Sequence, residues 1–187
     1  MNEMENKKQG GRYGWKNATK DLAYIAVFVA LLIASQVVLA VLPGVEIVTL
    51  LFVCFAFVFG VKRAMISATA FSLMRQLVFS VFPTVLILYL VYFNLLAICF
   101  GLLGKWKKKL VFLLPFAVAL ACICTVGFTL LDDVITPLYY AFNHTQAQAY
   151  FYYSLPIMGT QTLCAGIMVG VGFLPITKAF QIIKNRH

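Results

Sequence analysis

Arg75 is the residue of this sequence whose side chain has the clearest potential for chemistry. It follows about twelve residues of a predicted apolar span, which puts it roughly 18 Å from the start of that span at 1.5 Å per residue. A charge at that depth costs upward of about 2.5 kcal/mol and normally faces a partner or a water-filled cavity. Two interpretations are open: the guanidinium binds a carboxylate, phosphate or carbonyl group of a ligand, or it forms a structural ion pair, for instance with Glu46.

Other polar side chains are predicted at a similar depth in the neighbouring spans. Amide and hydroxyl side chains often join membrane helices by hydrogen bonds, but their shared depth favours a binding site. Tyrosines could supply the flat apolar walls that an aromatic ligand requires, with an anchoring role at the membrane interface as the alternative. The predicted substrate-binding residues are Glu46, Arg75, Gln76, Tyr89, Asn94, Tyr139, Tyr153 and Gln161.

The sequence offers no recognisable catalytic apparatus. It contains no Gly-x-Ser-x-Gly, His-Glu-x-x-His or phosphate-binding Gly-x-x-x-x-Gly-Lys pattern. His144 and His187 are the two histidines, and the cysteines lie apart inside apolar segments. The pair Asp132-Asp133 could bind a cation, although two acids at a helix end are commonly a solvated boundary. We therefore predict no enzyme activity, no metal site and no cofactor.

The composition defines the elements that must position these residues. Hydrophobic residues make up 63% of the 187 positions and charged residues 11%, and the mean hydropathy is +0.93, whereas soluble domains are about a quarter charged. We predict an all-α integral membrane protein with a basic cytoplasmic tail over 1–18 and a six-helix transmembrane domain over 19–187. The predicted spans are about 19–42, 45–61, 64–82, 84–103, 110–131 and 154–176, with one long outer loop over 132–153.

The basic residues predict the orientation of these spans. All fifteen lysines and arginines except Arg75 fall at alternate ends of the apolar segments, which is the positive-inside pattern. The predicted outer connections 42–45, 82–84 and 132–153 contain no lysine or arginine. Both chain ends are therefore predicted to lie in the cytoplasm, and the basic charge indicates topology rather than nucleic-acid binding.

A stripe of alanines marks one face of the first span. The four residues are spaced by three, four and four positions and so share one helical face: Ala23, Ala26, Ala30 and Ala34. Small residues let another helix approach closely in a membrane. The neighbour could be another protein, in which case the stripe is a partner-docking surface, or a helix of the same chain.

The chain resembles the substrate-binding S components of energy-coupling factor (ECF) vitamin transporters. The resemblance rests on its size, its six spans and its alanines, since Ala26, Ala30 and Ala34 match the A-x-x-x-A docking motif of that family. The segment 42–51, which begins Leu42-Pro43-Gly44, is similar to the second-helix opening of some members. The resemblance implies an ECF S-component-like bundle in the bacterial plasma membrane that captures a vitamin or vitamin precursor from outside. It also implies docking on a shared membrane-coupling subunit with an ATPase pair.

Two further hypotheses come from other classes of protein. The chain could be a non-transport membrane scaffold or assembly protein with no small-molecule ligand, in which the polar residues only hold helices together. It could also be a membrane-embedded enzyme, which the absence of catalytic motifs disfavours. The response of ligand binding and folding to a substitution of Arg75 distinguishes the first of these from a capture subunit.

Overall fold

The computed structural model describes residues 2–39, 47–79, 82–106 and 109–185, with the side chains of the first helix from Thr19 to Val38. The described residues are helical and contain no strand. In chain order the helices are α1 (Asn2–Leu39), α2 (Ile47–Phe59), α3 (Val61–Phe79), α4 (Pro83–Leu103), α5 (Leu110–Tyr139) and α6 (His144–Asn185). The backbone of the predicted tail, 2–18, is thus part of α1.

Four of these helices are long and apolar enough to cross a membrane. A bilayer's hydrocarbon core is about 30 Å thick and needs about 20 apolar residues of helix. The four candidate spans are Thr19–Val38 within α1, Pro83–Leu103, Leu110–Tyr139 and His144–Asn185. The apolar α2 has 13 residues, and α3 carries Lys62, Arg63 and Arg75. The helices support the predicted class, a helical membrane protein.

The short helix α2 lies in the centre of the bundle. It packs against α1, α3, α4 and α6, and every residue from Phe52 to Phe59 is buried. Its phenylalanines contact rings of three other helices: Phe55 stacks on Phe28 with ring centroids 3.8 Å apart, and Phe52 meets Phe93 edge-on at 5.0 Å. A helix that is apolar all round is a core helix, so α2 organises the helices around it.

Charged residues distinguish the two ends of the bundle. At one end Arg63 pairs with Asp21 at 2.8 Å, and Lys184 Nζ donates a hydrogen bond to the carbonyl of Val58 at 2.7 Å. This is called the basic end. The opposite end carries Asp132 and Asp133 near the carboxyl end of α5, and it is called the acidic end. The same polarity was predicted from the positions of the lysines.

The predicted long loop over 132–153 was wrong. Helix α5 continues to Tyr139 and α6 begins at His144. At the end of α5 the amides of Phe142 and Ala141 donate to the carbonyls of Pro137 and Leu138, with Ala141 at a φ of 50°. This is a Schellman ending.

A capping box begins the next helix on the other side of this short turn. The Asn143 side chain accepts from the amide of Gln146 at 2.8 Å, and the Gln146 side chain accepts from the amide of Asn143 at 3.0 Å. Asn-x-x-Gln at this spacing is a helix-start pattern that can be read from sequence. The tyrosines that suggested a loop therefore lie on helices, except Tyr140, which follows the last residue of α5.

At the basic end, a glycine lets the connection after α4 touch the backbone of α2. A Cβ at Gly104 would collide with the carbonyl oxygen of Phe57 and stand 3.0 Å from its carbonyl carbon. The colliding atoms are backbone atoms, which cannot turn away as a flexible side chain would. The close contact between α2 and the end of α4 therefore requires glycine.

We expect Gly104→Ala to destabilise the protein by about 1–3 kcal/mol, the usual cost of overpacking. The matched control is Gly127→Ala on α5, where an added Cβ meets nothing within 4 Å. Alanine is the better helix former, so the control should be neutral or stabilise the protein by up to about 1 kcal/mol. Thermal unfolding of both variants in detergent measures the difference, and equal melting temperatures would contradict the proposed packing.

Candidate functional site

Arg75 lies near the carboxyl end of α3. At the helical rise per residue it is about 21 Å from Val61, the first residue of that helix, and about 6 Å from Phe79, the last one. Its guanidinium carbon lies 4.3 Å from the ring centroid of Tyr89 on α4 and 5.3 Å from that of Phe79. Both are cation–π distances. No carboxylate of the described residues forms an ion pair with Arg75. Glu46, the predicted alternative partner, lies outside the described residues.

Gln36 of α1 also contacts Tyr89. Its Nε2 lies 3.2 Å from the hydroxyl oxygen of Tyr89 and donates to it. Sequence reasoning missed Gln36, although an amide within a strongly apolar span is a usable indication of a polar contact. Three helices, α1, α3 and α4, therefore bring polar groups to Tyr89.

Three buried polar atoms of these residues and of the neighbouring Gln76 have no hydrogen-bond partner within the part of the chain that the structure describes: Gln36 Oε1, Arg75 Nε and Gln76 Nε2. Gln76 is only 5% exposed. Leaving a buried donor or acceptor unpaired costs about 1–3 kcal/mol, and more for a charged group. Gln36, Arg75, Gln76 and Tyr89 are called the Arg75 cluster below. Its unpaired N–H groups are available to an acceptor supplied by a bound molecule.

Two predicted site residues also make bonds within the chain's own backbone. Gln76 Oε1 accepts from the amide of Phe82 at 3.0 Å and so holds the turn that leads into α4. Because that bond occupies its oxygen, the free end of the Gln76 amide is a donor. Asn94 Nδ2 donates to the carbonyl of Leu90 at 2.8 Å, one turn earlier on α4. The structure therefore gives Gln76 a bond to the start of α4 and Asn94 a bond within α4, and Gln76 belongs to the cluster only as the residue that follows Arg75.

Tyr153 and Gln161 lie at a second position, between α5 and α6. They line a cavity of about 160 Å³ together with six other residues: Phe128, Thr129, Asp132, Tyr150, Ser154 and Ile157. This space is called the α5–α6 cavity. Tyr139, also predicted for the site, is 52% exposed and does not line this cavity. The predicted set is thus dispersed: Arg75 and Tyr89 are in contact, Tyr153 and Gln161 line this cavity, and Tyr139 belongs to neither group.

The aspartates of α5 have defined partners on α6. Asp132 accepts from the hydroxyl of Tyr150 at 2.8 Å and from that of Thr136 at 2.6 Å. Asp133 accepts from the hydroxyl of Ser154 at 2.8 Å, and its second oxygen is buried without a partner. The solvated boundary considered for this pair is therefore not what the structure has. The two carboxylates fasten the ends of α5 and α6 together.

Aromatic rings connect the Arg75 cluster with the α5–α6 cavity. Phe128, which lines the cavity, lies 6.1 Å from the ring of Tyr89 and 4.7 Å from that of Tyr92. Tyr89 in turn lies under the guanidinium of Arg75. A cation and two carboxylates thus lie on opposite sides of a group of aromatic rings at the acidic end. Planar apolar surface with polar groups at its edges is typical of small-molecule sites.

The predicted alanine stripe lies on the surface of the described structure. All four alanines are exposed: Ala23, Ala26, Ala30 and Ala34. The last three line a groove of about 540 Å³ that also borders Ala70 and Met74 of α3. Ala23 lines a different groove, of about 460 Å³, formed with α2 and α6. The described helices of the chain leave this face of α1 uncovered.

Comparison of the chain with protein-family models, with curated proteins and with solved structures found no match.

Proposed function

We propose that this chain is the substrate-binding subunit of an ECF-type importer in the bacterial plasma membrane. In this proposal it crosses the membrane six times with both ends in the cytoplasm, and the acidic end faces outward. It captures a vitamin or vitamin precursor there and docks on a shared membrane-coupling subunit with its ATPase pair. The observation that carries the proposal is the set of unpaired buried polar groups in the Arg75 cluster.

The cluster has the chemistry of a site for an acceptor-rich group. Arg75 Nε and Gln76 Nε2 are both donors without partners, and a hydrogen bond to a charged donor contributes about 1.5–3 kcal/mol. A ligand carboxylate would pair with the partly buried Arg75, and its oxygens or a carbonyl group could accept from these donors. The amide of Gln36 can rotate to present either end, because the hydroxyl of Tyr89 can donate or accept. A scaffold gains nothing from leaving these groups unpaired.

The surroundings of the cluster suit a ligand with a flat ring. Tyr89 and Phe79 cover the guanidinium, and Tyr92 and Phe128 continue the aromatic surface toward the α5–α6 cavity. Aromatic walls contribute stacking of about 0.5–1.5 kcal/mol beyond the burial of their area. The carboxylates of Asp132 and Asp133 lie on the far side of these rings, where they favour a neutral or basic group. We therefore expect an acceptor-bearing planar compound.

The exposed alanines supply the surface for the coupling subunit. A helix that meets Ala26, Ala30 and Ala34 can approach α1 closely, which is how membrane helices gain packing energy without a hydrophobic driving force between them. The groove beside these alanines has the volume to accept larger side chains of a partner. The ligand and the partner thus use separate parts of α1.

Co-expression with candidate coupling and ATPase subunits tests the proposal. We expect the chain to co-purify with them through an affinity tag on the coupling subunit. Mass spectrometry of the isolated chain should find a small molecule carried through purification. A chain that neither co-purifies nor retains a ligand contradicts the proposal and favours the scaffold hypothesis. Turnover of a substrate without the ATPase pair would favour a membrane-embedded enzyme.

A further inference from the structure

A second groove runs along the lipid-facing surface between α4 and α5, at the basic end. Its volume is about 400 Å³, and its walls are apolar: they include Cys99, Leu102, Trp106, Phe116, Leu120 and Ile123. Along α5 it extends from Phe116 to Ile123, about 10 Å at the helical rise. None of its residues lies on α1 or in the Arg75 cluster. This groove is called the α4–α5 groove.

An aromatic residue and two lysines stand where this groove reaches the basic end. Trp106 lies 6.3 Å from Phe116, edge to face, and is half-exposed. Tryptophan favours the headgroup layer of a membrane. Lys105 precedes it and Lys109 begins α5, and both lysines are exposed. Lys109 lies seven residues before Phe116, which is about 10 Å along the axis of α5. This distance is comparable to the thickness of a headgroup layer, roughly 5–8 Å.

No ion pair of Lys105 or Lys109 with an acid is present among the described side chains. No aspartate or glutamate occurs between Glu46 and Asp132, so α4, its connection to α5 and the first turns of α5 carry none. The described ion pair of the basic end joins Arg63 to Asp21, on α3 and α1. The first turn of α5 also has no side-chain cap and no acidic residue. An anion is therefore favoured beside Lys105 and Lys109.

We propose that the α4–α5 groove binds one acyl chain of an anionic phospholipid, with the lipid phosphate held by Lys105 and Lys109 and its glycerol region beside Trp106. A zwitterionic lipid could fill the same apolar volume, but its own amine would compete with the lysines for the phosphate. Each lysine near a membrane surface favours anionic lipid by about 1 kcal/mol, which is about fivefold. This site is independent of vitamin capture and of docking through the alanines.

Tryptophan fluorescence in lipid nanodiscs tests the proposal with the full chain. The sequence has two tryptophans, Trp15 and Trp106, so Trp15→Phe leaves one reporter at the groove. Its emission is measured with acyl-brominated phosphatidylglycerol in a phosphatidylcholine background, and with the labelled and unlabelled lipids exchanged. We expect phosphatidylglycerol to quench at least fivefold more effectively at equal mole fraction.

Three further variants in the Trp15→Phe background separate charge from shape. Lys105→Gln with Lys109→Gln should bring the ratio of quenching by the two lipids close to one. Lys178→Gln, which removes one exposed charge on α6, should leave the ratio unchanged. Ala119 also lines the α4–α5 groove, so Ala119→Phe should fill it and reduce quenching by labelled phosphatidylglycerol. Equal quenching by both lipids with the lysines intact, or an equal effect of Lys178→Gln, would overturn the proposal.

Discussion

Arg75→Gln is expected to lower the affinity for the retained ligand by roughly 10- to 150-fold, which is the loss of one charge-assisted hydrogen bond of about 1.5–3 kcal/mol. Glutamine keeps a polar side chain but loses the charge and the forked donors. Arg75→Lys should recover only part of the affinity, because an ammonium cannot lie flat on Tyr89 while it binds an acceptor. The measurement is the ligand carried through purification, followed by titration calorimetry once it is identified.

The stability of the Arg75 variants decides between capture and scaffolding. If Arg75 serves a ligand, the ligand-free Arg75→Gln protein should melt at or above the temperature of the parent, because the change removes a partly buried charge that has no ion-pair partner among the described residues. A scaffold predicts a lower melting temperature and no effect on a ligand. The matched control is Arg63→Gln at the basic end, which removes the ion pair with Asp21. Both partners are partly exposed, so the control should cost at most about 1 kcal/mol and leave ligand binding unchanged.

Ala30→Phe is expected to abolish co-purification with the coupling subunit. Ala30 lies in the middle of the exposed alanine face, and a ring there would hold a second helix away from α1. The variant should fold and retain its ligand like the parent, since the change is on the surface and outside the Arg75 cluster. The measurement is the amount of coupling subunit recovered per mole of chain.

A control with the same change of size shows whether position matters. Ala119 is exposed on α5, away from α1, so Ala119→Phe should leave recovery of the coupling subunit unchanged. Undiminished recovery with Ala30→Phe would rule out docking through these alanines. Loss of recovery with both variants would point instead to a general effect of surface bulk on the complex.

The sequence predicted the bounds of those helices that begin at a proline or end at a glycine. The predicted span 84–103 agrees with α4 (Pro83–Leu103) because proline is favoured in a first helical turn and Gly104 follows the last one. The bounds of the second and third predicted spans agree with those of α2 and α3 within a few residues, and Gly60, with a φ of 83°, lies between the two helices. Neither helix is among the four that are long and apolar enough to cross a membrane. The ends of α5 and α6 differed because the tyrosines between them were interpreted by composition alone.

The candidate site was only partly predictable, because spacing along a helix does not identify the facing helix. Arg75 and Tyr89 were both expected in a site, and in the structure the guanidinium carbon of Arg75 lies 4.3 Å from the ring centroid of Tyr89. Gln36 was missed because its contact with Tyr89 spans 53 positions of the chain. Gln161 shares the predicted depth with Arg75 but lines the α5–α6 cavity. Tyr139, predicted in the outer loop, is exposed at the end of α5. The depth of a residue in its span can be read from the residues around it, whereas its contacts with other helices depend on how all the helices pack.

The length of α6 has a mechanical consequence. Its 42 residues extend about 63 Å, about twice the hydrocarbon thickness. Near its amino end the hydroxyl of Tyr150 donates a hydrogen bond to Asp132, and near its carboxyl end Lys184 donates one to the carbonyl of Val58. Pro156 and Pro175 lie inside this helix, and a proline within a helix removes a backbone hydrogen bond and favours a bend. Any movement transmitted from Tyr150 to Lys184 therefore passes through two places where α6 can bend.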